Sequence, residues 1–124
     1  MVKSSFAGCW NTPNIEKLWV VIDGSGKAVA IKEGTGSHQD AGNRLVNKGR
    51  KICWKAVGLN GGGTNFKIAI LFSPGDHRTL QSEVLLSVHP SAFKSLQFKY
   101  TVVTDVSLDD QPNTWFDPKI IIRN

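Results

Sequence analysis

The sequence lacks any apolar run long enough to cross a membrane. Its apolar runs, such as residues 18–22 and 120–122, fall far short of the roughly 20 apolar residues that a transmembrane helix requires. The first six residues also lack the apolar core of a secretory leader. We therefore expect a cytoplasmic protein with no membrane span.

The sequence also lacks the motifs that most often mark an active site. It has no Gly-x-Ser-x-Gly nucleophile motif, and its glycine-rich loop (residues 58–64) leads into a strand pattern, whereas a phosphate-binding loop opens a helix. The three histidines, His38, His77 and His89, do not cluster with the spacing of metal ligands. We predict no catalytic residue, no metal site and no cofactor.

Cysteine is scarce, since only Cys9 and Cys53 are present and they are far apart in sequence. Disulfides persist in oxidising compartments, whereas a free cysteine behaves as a small buried hydrophobic residue. Because no secretory leader is visible, we expect two unpaired, buried thiols. A disulfide between them is the alternative.

Turn-forming residues, by contrast, are abundant: the 124 residues include 12 glycines and 5 prolines. The hydrophobic fraction of 40% and the charged fraction of 20% are typical of globular proteins. The length is common for one domain. The composition predicts a single domain, residues 1–124, built from many short elements.

Alternating hydrophobicity predicts that these elements are strands. Phe66, Ile68, Ile70 and Phe72 recur at every second position, and residues 50–57 and 96–102 repeat this two-residue period. The Asp-Gly-Ser-Gly sequence of residues 23–26 predicts a hairpin turn, and residues 90–95 could form one short helix. We predict an all-β, antiparallel Greek-key β-sandwich of about seven strands with at most one short helix.

Two segments resemble a known family. Residues 45–54 resemble the strand, Lys-Gly turn and Trp-ending strand of cupredoxin-like domains, and residues 100–102 with 117–122 are similar to the closing strands of small cupredoxin-like proteins. The resemblance implies a Greek-key sandwich, with an immunoglobulin-like sandwich as the alternative. It does not imply copper, because the only methionine is Met1 and no histidine follows His89, so the family's C-terminal ligand set is absent.

Positive charge is concentrated in the middle of the chain. Residues 41–75 contain six basic residues and no acid, and the remaining nine basic and ten acidic residues bring the net charge to +5. The six are Arg44, Lys48, Arg50, Lys51, Lys55 and Lys67. On a strand, Lys51 and Lys55 project to one face, with Lys67 expected nearby on a neighbouring strand. Such a face attracts phosphates, although a solvated sheet face has the same composition.

These features favour a non-catalytic binding module that uses loops at one end of the sandwich. The loop of residues 60–65, with Asn60 and Asn65, is the first candidate site, and the basic residues are the second. Single-stranded nucleic acid bound through the basic face around residues 50–55 is one alternative. Carbohydrate binding by Trp115 with Asn113 and Asp117 is another. The sequence does not indicate the oligomeric state, and a homodimer is compatible with it.

Overall fold

The structure is a computed structural model that describes residues 2–4, 8–33, 43–72, 79–88, 97–105 and 119–123. These residues form one 3-10 turn, Cys9–Asn11, and ten strands. The strands are β1 (Val2–Ser4), β2 (Glu16–Ile22), β3 (Ala28–Glu33), β4 (Asn43–Asn47), β5 (Lys51–Gly58), β6 (Ile68–Leu71), β7 (Glu83–Ser87), β8 (Gln97–Lys99), β9 (Thr101–Thr104) and β10 (Lys119–Arg123). The predicted all-β class is confirmed. The proposed short helix at residues 90–95 lies outside the described residues.

The described strands form three hydrogen-bonded sheets. A five-stranded sheet has the order β1-β7-β5-β2-β3, a three-stranded sheet the order β4-β10-β8, and β6 pairs with β9. Five of these pairings are antiparallel, but β2 pairs with β5, and β10 with β4, in parallel. The expected purely antiparallel arrangement is therefore corrected to a mixed one. Alternating hydrophobicity identifies the faces of a strand and carries no information about the direction of its neighbour.

One hydrophobic core joins side chains from all three sheets. Leu18, Val20 and Ile22 of β2 are buried on its inner face, and Ile52, Trp54, Ala56 of β5 are buried beside them, as the alternation predicts. The predicted single strand over residues 96–102 is instead divided at Tyr100 into β8 and β9, which belong to different sheets. No helix among the described residues has the length and apolar character needed to span a membrane.

The predicted hairpin at residues 23–26 is confirmed. Gly26 donates its N–H to the Asp23 carbonyl at 3.0 Å, and the positive φ of Gly26 (88°) suits glycine. The Asp23 carboxylate accepts hydrogen bonds from the Ser25 hydroxyl and from the Ser25 and Lys27 N–H groups. These bonds, above all that from the Ser25 hydroxyl, lower the pKa of Asp23.

A disulfide links Cys9 to Cys53 across 44 residues of sequence, with both cysteines fully buried. The expectation of two unpaired thiols was wrong. The 3-10 turn folds onto the outer face of the five-stranded sheet and brings the two Cα atoms to 6.0 Å, a distance that a disulfide spans. The proximity depends on how the turn packs, so the sequence separation of the cysteines does not reveal it.

Removing this disulfide should destabilise the fold. Loop-closure entropy for a separation of 44 residues amounts to about 4 kcal/mol, so we expect Cys9→Ala/Cys53→Ala to lower the free energy of unfolding by about 2–4 kcal/mol. Urea denaturation measures this change in the free energy of unfolding. A reducing agent should destabilise the wild type but not this double variant. Alkylation of both cysteines in the denatured, unreduced protein would contradict the assignment.

A buried hydrogen bond connects Trp54 and Tyr100 in the core. The indole N–H of Trp54 donates to the Tyr100 hydroxyl at 3.2 Å, and the two rings meet edge to face. Tyr100→Phe removes the acceptor and leaves the buried N–H unpaired, which should cost about 1–3 kcal/mol in urea denaturation. A double-mutant cycle with Trp54→Phe provides the control, and the absence of any coupling energy between the two sites would contradict this account.

Candidate binding groove

The outer face of the five-stranded sheet carries a row of side chains centred on Trp19. Strand pairing places Lys55 of β5 on one side of Trp19 and Lys32 of β3 on the other, and it places Glu83 of β7 next to Lys55. Since paired residues project to the same face, the row reads glutamate, lysine, tryptophan, lysine across four strands. The result is an indole flanked by two cations on a face that does not belong to the core.

A groove of about 440 Å³ opens beside this row, at the end of the sheet where β5 runs into the glycine loop. The residues that line the groove provide an apolar surface, an aromatic wall and a few polar groups. The main ones are Trp19, Val21, Ala30, Lys32, Val57 and the loop residues 58–61. This volume is within the usual range of small-molecule sites.

The loop at the mouth of the groove has its own hydrogen bonds. Gly58 donates its N–H to the Gly62 carbonyl at 2.8 Å, and Gly61 donates to the Gly58 carbonyl at 3.0 Å. The side-chain oxygen of Asn60, an exposed residue, accepts a hydrogen bond from the Gly62 N–H at 3.0 Å. This bond sets the orientation of the Asn60 side-chain amide. Leu59 is 67% exposed, so the loop also presents apolar surface to solvent.

The 3-10 turn braces the other side of Trp19. The rings of Trp10 and Trp19 meet edge to face with centroids 5.0 Å apart, and the Lys55 ammonium lies 5.8 Å from the centroid of Trp10. The Glu83 carboxylate accepts hydrogen bonds from the N–H groups of Gly8 (3.1 Å) and Trp10 (2.8 Å). Together with the disulfide, these contacts fix the orientation of the aromatic wall.

The predicted basic residues do not form one surface. Arg44 forms ion pairs with Glu16 and Glu33, and Arg50 lies 3.4 Å from Glu16, so this part of the charge is neutralised locally. Lys48 is partly buried in the turn between β4 and β5.

Lys51 and Lys55 share the outer face of β5, as predicted, and Lys51 is exposed. Lys67 directly precedes β6, which pairs with β9 and not with β5. Contrary to the expectation, Lys67 therefore does not lie on a strand next to Lys55. Of the predicted loop residues, Asn60 lines the groove, whereas Asn65 is exposed outside its lining.

Other predicted groups lie outside the described residues, namely Asn113, Trp115, Asp117 and the three histidines. Among the described residues, Cys9, Cys53 and Glu83 form the only group with potential metal-ligand spacing. The two sulfurs are joined to each other and the carboxylate is bound by the turn, so we assign no metal to this group.

Sequence reasoning missed the central residues of the groove, Trp19 and Lys32. Residues 18–22 form a continuous apolar run, which does not indicate that Trp19 projects away from the core. Residues 17–20 do alternate between the two faces of β2, since Lys17 and Trp19 project away from Leu18 and Val20. The continuous apolar run conceals this alternation in the sequence. No signal in the sequence indicates that Lys32 lies beside Trp19, because that depends on the register of the hairpin.

Comparison with known proteins yields no family assignment. No protein-family model matches the sequence, and no curated protein is significantly similar to it. The functional conclusions therefore depend on the geometry of the groove and of the sheet face around it.

Proposed function

We propose that the protein is a non-catalytic binding module whose site is the groove between Trp19 and the loop of residues 58–61. The observation that supports this proposal is the combination of an apolar groove of about 440 Å³ with an aromatic wall and a small number of polar groups. Ligand pockets typically have this composition, with few polar groups that set the orientation of the ligand.

The chemistry of the groove favours binding over catalysis. Lys32 is the single ionisable side chain among its described lining residues, so no acid–base pair or activated nucleophile is available there. An indole ring suits a flat or apolar ring of a ligand, and the Lys32 ammonium and the Asn60 amide suit its polar substituents. We therefore propose a ligand with a ring and hydrogen-bonding or anionic substituents.

The cupredoxin-like family without copper remains our proposal for the fold. It is supported by the segment of residues 45–54, in which β4 and β5 flank the Lys-Gly turn and Trp54 is buried in the core. The cytoplasmic location remains a prediction from the sequence. The disulfide weighs against it, because disulfides persist in oxidising compartments.

Ligand mapping by NMR tests the groove. We expect adenosine monophosphate, indole-3-acetate or methyl β-glucoside to shift the indole resonance of Trp19 and the amide resonances of residues 58–61. Ala30→Phe places a ring in the groove from strand β3, and it should weaken the binding of a responding probe by about tenfold or more, equivalent to about 1.4 kcal/mol. Phenylalanine is well tolerated in strands, so the fold should persist.

Gln97→Phe is the matched control, because it adds the same ring at an exposed strand position in the three-stranded sheet. It should leave probe binding unchanged. The proposed groove is wrong if none of the three probes shifts these resonances, or if the two variants weaken binding equally.

A further inference from the structure

Each described carboxylate accepts hydrogen bonds or forms an ion pair, and among them Glu83 lies next to Lys55 on the outer face of the five-stranded sheet. Their partners are Arg44 and Arg50 for Glu16, Arg44 for Glu33, the Ser25 and Lys27 N–H groups for Asp23, the Gly8 and Trp10 N–H groups for Glu83, and the Lys67 N–H for Asp105. No described carboxylate forms an ion pair with the lysines on the outer face of the five-stranded sheet. With one described carboxylate, Glu83, beside several lysines, that face keeps a net positive charge that a ligand can meet.

These lysines and Trp19 form what we term the lysine face: Lys17, Lys32, Lys51, Lys55 and Trp19. Strand pairing places all of them on the outer side of β2, β3 and β5. Lys32 and Lys55 lie on the strands to either side of Trp19, at the usual spacing of about 4.8 Å between strands. Lys17 and Lys51 extend the charge along β2 and β5.

The spread of the lysine face indicates a ligand with several anionic groups. Lys51 precedes Lys55 by four residues on β5, which corresponds to about 13 Å along a strand. Among the described residues, Lys32 lines the groove whereas Lys55 and Lys51 do not, so a small anion in the groove contacts Lys32 without engaging the lysines of β5. A chain of phosphates extends from Lys32 past Trp19 to Lys55, and it meets Lys51 only beyond the 3-10 turn, which covers Cys53 between the two lysines of β5.

The indole at the centre of the face selects among polyanions. Trp19 is partly buried and forms one wall of the groove, so its ring offers a stacking surface next to the two flanking cations. Stacking requires a base whose face is free, and in a duplex the faces are covered by the neighbouring base pairs.

We infer that the lysine face binds single-stranded nucleic acid, with a base against Trp19 in the groove and the phosphates on the lysines. This inference rests on the proposed function and names the ligand of the same groove. It differs from a general attraction of a basic protein for polyanions, because it requires both the ring and the lysines at named positions.

Fluorescence anisotropy with labelled oligo(dT) and oligo(U) of about 12 nucleotides tests the inference, a length within the site sizes of single-strand binding proteins. We expect binding that weakens as salt rises from about 50 to 200 mM, with a logarithmic slope of about −0.7 for each phosphate neutralised. A duplex of the same length should bind more weakly than either single strand at each salt concentration.

Two charge-matched variants separate the lysine face from net charge. Lys32→Gln/Lys55→Gln should weaken binding and reduce the steepness of the salt slope by about 1.4, for two lost phosphate contacts. Lys27→Gln/Lys67→Gln removes the same charge from exposed residues outside the face and should leave the slope unchanged. Thermal unfolding of both variants checks that each remains folded.

Trp19→Leu tests the base contact separately. Loss of one stacked base should weaken binding roughly 5- to 140-fold without changing the salt slope, and Trp19→Phe should recover part of the loss because it retains a ring. Heparin provides a polyanion without bases, and its affinity should not respond to either substitution.

Three results would overturn the inference: no binding of either oligonucleotide at about 50 mM salt, equal losses in the two double-lysine variants, or equal loss of heparin and oligonucleotide binding in Trp19→Leu. If adenosine monophosphate or indole-3-acetate still shifts the groove resonances in that case, only the nucleic-acid inference fails. If no small probe binds either, the proposed binding groove fails with it.

Discussion

The parallel pairing of β2 with β5 is the contact on which both faces of the large sheet depend. Its register sets Leu18 beside Trp54 on the inner face and Trp19 beside Lys55 on the outer face. A shift of one residue would expose the core side chains and turn Trp19 inward. Burial of each large apolar side chain contributes about 1.5–3 kcal/mol, so the packing of the core also maintains the arrangement of the groove.

The groove is built on strands and on the loop of residues 58–61, and the 3-10 turn that packs against its aromatic wall, Trp19, is held at several points. The disulfide, the two hydrogen bonds to Glu83 and the edge contact between Trp10 and Trp19 act on the same short segment. A site whose walls are already ordered loses little conformational entropy when a ligand binds. Of the parts of the groove, the loop of residues 58–61 is the one whose shape depends on glycine, with Gly61 at a φ of 81°.

The distribution of charge in space differs from its distribution along the chain. The basic segment of residues 41–75 is divided by the fold, because Arg44 and Arg50 face Glu16 at one end of the sheet. Lys51 and Lys55 project from the other side of β5, where they join Lys17 and Lys32 from outside that segment. A count of charges along the sequence therefore identified the excess of positive charge but not the surface that carries it.

Sequence patterns were enough to predict the all-β class, the inner face of β5 and the hairpin at residues 23–26, because strand alternation and turn chemistry act between residues close in the chain. The folded structure was needed to identify the parallel partner of β2, the disulfide and the position of Lys32 beside Trp19. Each of these depends on which segments become neighbours after folding. A two-residue period specifies the side to which a residue projects, but it does not specify what lies next to it.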